Sequence, residues 1–317
     1  MTTSKNKTMN VAQLLCAFLI ATAVFVTSHT AAQTSQQETF PTAEDAVVAM
    51  VDALKANNVE KLVAIFGPEA REVMSSGDSV ADQRGRDLFV AAYFERSSLS
   101  KGTTTKTLYI GSEEWPFPIP LVKAAGGWRF DTSVGIEELR YRRIGRNELA
   151  TIRTCMTFVE AQKEYAAKAH DGKPGGAYAQ KLASEPGKQD GLFWKVNPGE
   201  DPSPLGELAA EAASEGYTRS SGKPTPFRGY FFRILTEQGA GAKGGAQSYL
   251  VNGEMRNGFA LVAYPADYGN SGVMSFIVNQ DGVVYEKDLG EESTKLAGEM
   301  KEYSPDRTWR RANSSGQ

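Results

Sequence analysis

The chain has 317 residues, 35 Lys and Arg against 38 Asp and Glu, and 41% apolar residues. That composition supports one or two ordinary hydrophobic cores and excludes a disordered, collagenous or disulfide-stapled chain. A slightly acidic balance with no basic block also argues against nucleic acid as a partner, because phosphate neutralisation needs clustered Lys and Arg.

Lys5 and Lys7 precede an apolar run from Val11 to Val26, and Ser28-His29-Thr30-Ala31-Ala32-Gln33 follows with small residues. This pattern predicts a cleaved export signal over residues 1–32. The run is shorter than the roughly 20 residues that span a bilayer, and no positive cluster stops it, so no stable membrane insertion is expected after cleavage. Cys16 lacks the small preceding residue of a lipoprotein signal. Cleavage near Ala32 removes two lysines, one cysteine, one histidine and no acid, leaving 33 basic and 38 acidic residues. Cys155 and His170 then stand alone in their classes. The expected location is periplasmic or secreted, yet one cysteine closes no disulfide within the chain.

A polar linker at 33–39 leads into a first α+β module, 40–135. Thr42 with Asp45 three residues on is a helix start, and Val47, Met50, Val51 and Leu54 recur on one face. A second short helix carries Leu62, Val63 and Phe66 and stops at Gly67-Pro68; a third is expected from about Gly85 to Glu95. The period then changes to strands at Thr103 to Ile110, an interrupted run from Trp115, and Gly127 to Phe130 after a Gly-Gly turn. The second module, 136–305, opens on the longest helical stretch, from about Ile136 to Lys168, with Leu149, Ile152, Met156, Val159 and Ala166 as its apolar stripe. Short helices near Tyr178 to Ala183 and Leu205 to Ala213 follow. Strands are expected at 230–235, 247–251, 259–264, 274–279 and 283–287, then a last helix at 291–302 and a polar tail at 306–317.

Helices followed by a curved antiparallel sheet that ends in Gly126-Gly127-Trp128-Arg129-Phe130-Asp131 resemble the cone of the nuclear-transport-factor-2-like superfamily, which implies a pocket beneath the first helix. One long helix before an antiparallel meander resembles type IV pilin and pseudopilin globular domains. The stretches that carry this are Asn147 to Thr154, Ala161 to Tyr165, Ala177 to Ala179 and Phe276 to Val283; polymerising pilins, however, have an apolar helix where this chain has its first module. The predicted fold class is therefore α+β: a cone-like half, then a pilin-like half. Across nearly the full length, Phe40 to Val47, Ile65-Phe66-Gly67-Pro68, Asn147 to Ala150, Asp190 to Trp194, Pro202 to Gly206, Phe227 to Thr236, Gly258 to Pro265 and Val278 to Tyr285 resemble an exported bacterial family, domain-of-unknown-function family 2950. That resemblance implies no activity.

Little catalytic chemistry survives. A single histidine and a single cysteine cannot build a zinc site, and a Cys155/His170 dyad on one helix would be separated by about 22 Å. His170 reads as a surface cap residue. Gly239-x-Gly241-x-x-Gly244 precedes a strand rather than a helix, so it reads as a hairpin loop and not a dinucleotide site. Ser98-x-x-Lys101 and Ser220-x-x-Lys223 lie in loops without the partner motifs of serine/lysine enzymes. Asp281-Gly282 is a turn, and the paired glutamates at 113–114, 137–138 and 291–292 are solvated. Arg140, Arg142, Arg143 and Arg146, the one dense basic group, read as a solvated helix face.

The aromatics Tyr93, Phe94, Tyr109, Trp115, Phe117, Trp128 and Phe130 all fall in the first module, where filling the cone is the plain expectation. Tyr93, Trp115 and Trp128 are the candidate ligand-binding residues. The leading expectation is an exported, non-catalytic binding or protein-interaction protein of the envelope with no cofactor or metal, its partner an envelope protein or a small molecule. The alternative is a small-molecule-binding or enzymatic first module using an aromatic pocket. An open cavity lined by Trp115 or Trp128 with an inward Asp, Glu or Arg separates the two.

Overall fold

The computed structural model describes residues 37–218 and 224–313. The expected export signal, residues 33–36 of the linker, Ser220, Lys223 and the last four residues lie outside the described residues.

Local sequence explains where the first helices begin. Helix α1 (Ala43–Lys55) is capped by Thr42, whose Oγ1 accepts from the Asp45 amide at 3.0 Å and donates to its carboxylate at 2.7 Å. Asp45 thus sits at the third helical position, where a capping box has its Glu, but accepts from the Thr42 hydroxyl. Asn58 caps α2 (Val59–Phe66), which ends at Gly67 with φ 97°. A short α3 (Arg71–Met74) follows, then α4 (Ser79–Glu95). Helix α4 begins well before the expected Gly85 because Asp78 caps it through the Ala81 amide at 3.0 Å, while Gly85 is carried inside the helix. None of the residues of α4 is fully buried.

Strands β1 (Ser97–Leu99), β2 (Thr105–Lys106), β3 (Leu108–Ile110), β4 (Trp115–Pro116), β5 (Leu121–Ala124) and β6 (Gly127–Phe130) form two three-stranded antiparallel sheets, ordered β1-β3-β4 and β2-β5-β6. The prolines at 116, 118 and 120 fall at the end of β4 and between the two sheets, where no ladder amide is required. Met50, Leu62, Ile65, Phe66, Ile119 and Phe130 lie at the centre of one hydrophobic cluster.

Helix α5 (Thr132–Ala167) is 36 residues long, about 54 Å at 1.5 Å per residue. Its first turns close the first cluster through Ile136, and from Ile152 onward it covers a second cluster. The buried stripe there differs from the expected one. Met156 is 47% exposed, whereas Thr151, Thr154, Cys155, Phe158 and Gln162 face inward. The inward threonines donate to carbonyls four residues back, at 2.9 Å each, so small polar residues pack there without losing hydrogen bonds.

Beyond α6 (Gly206–Ser214) come β7 (Tyr230–Leu235), β8 (Glu237–Gln238), β9 (Gln247–Ser248), β10 (Leu250–Val251), β11 (Glu254–Met255), β12 (Ala260–Pro265), β13 (Met274–Asn279), β14 (Tyr285–Asp288), α7 (Ser293–Glu299), β15 (Glu302–Tyr303) and β16 (Arg310–Arg311). The main sheet is antiparallel in the order β16-β14-β13-β12-β7. Within the segment read as a polar tail, Arg310 and Arg311 pair with Glu286 and Tyr285. The chain is an α+β fold, as its periodicities predict.

The expected helix at 178–183 does not form. Buried Gln162 takes both backbone groups of Ala179, donating to its carbonyl and accepting from its amide at 2.8 Å each, and the Tyr178 amide donates to Met255 O at 2.7 Å. Backbone groups met this way hold the segment extended. Ala43 to Lys55 shows the opposite case, where local signals meet no tertiary competitor.

Cys155 is fully buried, and burial pushes its thiol up to about 12. A thiol reagent at pH 8 is expected to leave it unmodified in the native protein and to label it only as urea unfolds the chain. Rapid labelling in native buffer would contradict this packing.

Candidate functional site

Helices α1, α4 and α5, with strand β4, enclose an open cavity of about 370 Å³. Its floor is apolar: Met50 and Leu54 from α1, Phe66 at the end of α2, Phe89 from α4 and Phe117 just after β4. Phe117 anchors the floor by edge contact with Phe89 at 5.4 Å and tilted contact with Trp115 at 6.3 Å. Two helical faces supply the polar side. On α4, Asp82, Gly85, Arg86 and Phe89 follow helical spacing; on α5, Leu139, Arg142, Arg143, Arg146 and Asn147 do the same. Four guanidinium groups therefore meet one carboxylate.

Each of these charges has a different degree of compensation. Arg142 donates from Nε to Glu138 at 2.6 Å and lies 5.1 Å over the Trp115 ring, a cation–π contact. Arg143 donates to Asn270 Oδ1 at 2.6 Å and to the Val73 carbonyl, both neutral acceptors. Burial lowers the Arg143 pKa; Asp82 and Asp267 oppose that shift, and the like charges of Arg146 and Arg140 add to it. Arg86 donates to Met74 O at 3.2 Å, while its buried Nε has no acceptor among the described residues. Arg146 lines the cavity, is exposed to it, and makes no hydrogen bond or ion pair among the described residues. Its crowded surroundings nevertheless lower its pKa by desolvation. Asp82 is already engaged by the Ser76 amide at 2.8 Å and hydroxyl at 2.7 Å.

The cavity wall is tied to the second half of the chain. Asn270 donates to Ser75 O at 2.8 Å and Glu72 O at 2.9 Å, and buried Asn147 donates to Ser271 O at 2.9 Å. The neighbouring Glu148 receives the amides of Val273 and Met274 at 3.0 and 2.9 Å. Asn147 and Glu148 thus set the start of β13 from the helix that carries the arginines.

Of the three candidate residues, Trp115 lines the cavity, whereas Tyr93 and Trp128 do not. Trp128 is 8% exposed and is pinned in a two-way backbone pairing with Phe40 at 2.8 and 2.7 Å, with Lys106 Nζ 5.4 Å over its ring. Tyr93 packs edge-on against Phe94 at 5.3 Å. The solvated-face reading of Arg140 to Arg146 holds for Arg142 and Arg146, which are exposed at the mouth of the open cavity, and is corrected for Arg143, which is half-buried in its wall. Their spacing of one, three and four residues already placed them on one helical face; what that spacing lacked was the identity of the opposite wall.

The remaining motifs occupy ordinary positions. Gly239 to Gly244 form the connection between β8 and β9. Ser98 lies on β1 opposite Tyr109. His170 lies just past the end of α5, half-buried, with Nε2 2.9 Å from the Tyr165 carbonyl and its ring stacked on Tyr165 at 4.0 Å. Chemically, the cavity can hold an apolar body and oppose it with positive charge. Neither the curated proteins nor the solved structures include a match to the chain. The family described as "Protein of unknown function (DUF2950)" matches residues 37–312, and the chain belongs to that family.

Proposed function

We propose that the protein is an exported, non-catalytic binding protein of the bacterial envelope that encloses a small, largely apolar molecule in the cavity under α1 and α4. The observation that carries this reading is the open cavity beside Trp115. A volume near 370 Å³ suits a small ligand, at the lower end of the roughly 300–1,000 Å³ common for such sites. It favours the small-molecule reading over a purely protein-contact role. Helices α1, α2 and α4 with two short antiparallel sheets support a cone-like first half, and α5 laid on the antiparallel β7, β12, β13 and β14 supports a pilin-like second half. The single cavity carboxylate, already held by Ser76, supports binding without acid–base chemistry.

The chain lacking residues 1–32 is expected to bind the neutral probe N-phenyl-1-naphthylamine saturably, with a rise in fluorescence. A Cβ at Gly85 would meet no atom within 4 Å, and Gly85 lines the cavity. Gly85→Phe should therefore fill the space and weaken probe binding about tenfold or more while the protein stays folded. No fluorescence change on titration, or an unaltered affinity in Gly85→Phe, would overturn the reading.

A further inference from the structure

Resting on that reading, we infer that the bound molecule is an anionic amphiphile. Its carboxylate or phosphate head meets Arg146 and Arg86 at the polar wall, and its apolar chain lies along Met50, Phe66 and Phe89. Four independent observations converge on this. The cavity wall holds four guanidinium groups and one carboxylate. Arg146 has no partner among the described residues although it stands on a packed helix. Arg86 keeps a buried Nε without an acceptor, a state that costs stability until an acceptor arrives. Arg143 is hydrogen-bonded only to neutral oxygens and is crowded by Arg140 and Arg146.

Like charges crowded onto one wall repel one another, and an anion placed among them relieves that repulsion while accepting the free donors. Asp82 offsets part of the charge on Arg143, but its oxygens are held by Ser76 and make no hydrogen bond to Arg86 or Arg146 among the described residues. The apolar lining explains why a simple inorganic ion is not the full ligand: it would leave the half-buried Met74, Phe89, Trp115 and Leu139 facing water. Arginine is suited to the task because its planar fork donates two parallel hydrogen bonds to a carboxylate or phosphate.

The test compares decanoate, decyl phosphate and decanol by calorimetric titration of the chain lacking residues 1–32, alongside Arg146→Met and Arg146→Lys. Arg146 has no partner to orphan among the described residues, so both variants should fold. Decanoate or decyl phosphate should bind the unmodified protein about tenfold or more tightly than decanol, and whichever is tighter identifies the head. Arg146→Met should erase about tenfold of that preference, read as the ratio of anion to decanol affinity within each variant, while Arg146→Lys should retain most of it. High salt should weaken the two anions and spare decanol. Decanol binding as tightly as both anions, or a preference that survives Arg146→Met intact, would overturn the inference while leaving the cavity reading standing. Failure of all three ligands together with N-phenyl-1-naphthylamine would instead overturn the cavity reading itself.

Discussion

Asp78→Ala is expected to destabilise the protein by about 3–4 kcal/mol, the largest loss from any single polar side chain considered. Asp78 is 1% exposed and accepts the Ala81 amide at 3.0 Å, the Tyr217 hydroxyl at 2.8 Å and the Gly229 amide at 2.8 Å. Alanine removes the α4 cap, worth about 1 kcal/mol, and strands a buried amide and a hydroxyl at about 1–3 kcal/mol each. Relief of the buried carboxylate's own desolvation offsets part of this. Tyr217 feels the same carboxylate: burial, then the Asp78 hydrogen bond, pushes its phenol well above the usual range. Urea unfolding followed by circular dichroism should show a lower midpoint with an unchanged slope. Because Asp78 anchors the start of α4, whose residues are none of them fully buried, the variant should also weaken probe binding in the cavity that α4 roofs. A midpoint within experimental error of the unmodified protein would show that the three acceptor contacts do not act together.

Three glycines inside helices should respond to alanine with opposite signs. Gly135, in the first turns of α5, sits against the strand connection: a Cβ would lie 2.2 Å from Pro118 O, 2.4 Å from its carbonyl carbon and 2.7 Å from the Ile119 amide. All three neighbours are backbone, which cannot swing away like a side chain. Gly135→Ala should therefore cost about 3 kcal/mol, even though alanine is the better helix former. At Gly85 and Gly145 a Cβ would meet nothing within 4 Å, so alanine there should add about 0.5–1 kcal/mol through propensity alone. Thermal melts of the three single variants decide the matter: Gly135→Ala must fall while the other two rise. A stable Gly135→Ala would mean that α5 does not rest on the 118–119 backbone, and with it the wall that aims Arg142, Arg143 and Arg146 would be misplaced.

Much of the architecture was legible locally. Thr42 with Asp45, Asn58 before Val59, and Gly67-Pro68 after Phe66 mark helix ends because their side chains or backbone angles satisfy the terminal amides and carbonyls within a few residues. The strands around 230–235, 260–265 and 274–279 follow from β-branched and aromatic runs bounded by turn residues. Other elements were settled at a distance. Residues 178–183 carry a helical composition, yet Gln162 and Met255 supply partners that an isolated helix would have to forgo. On α5, large apolar residues suggested that Met156 faced inward, whereas the sheet accepted Thr151, Thr154 and Cys155 instead. The three aromatics proposed for the pocket all lie in the first half of the chain, and of them only Trp115 lines the cavity.

The sequence by itself determined the α+β class, the ends of the first two helices, the long helix and the positions of the main antiparallel strands. Each depends on periodicity, capping or composition within one segment. The tertiary structure alone decided what faces what. Helical spacing groups Arg142, Arg143 and Arg146 on one side of α5 in any environment, and in water that side is simply a solvated face. Packing α4 across from it, over a floor of phenylalanine and methionine, turns the same three side chains into the charged wall of a cavity. Periodicity specifies which residues share a face; the chain elements folded opposite specify what that face can do.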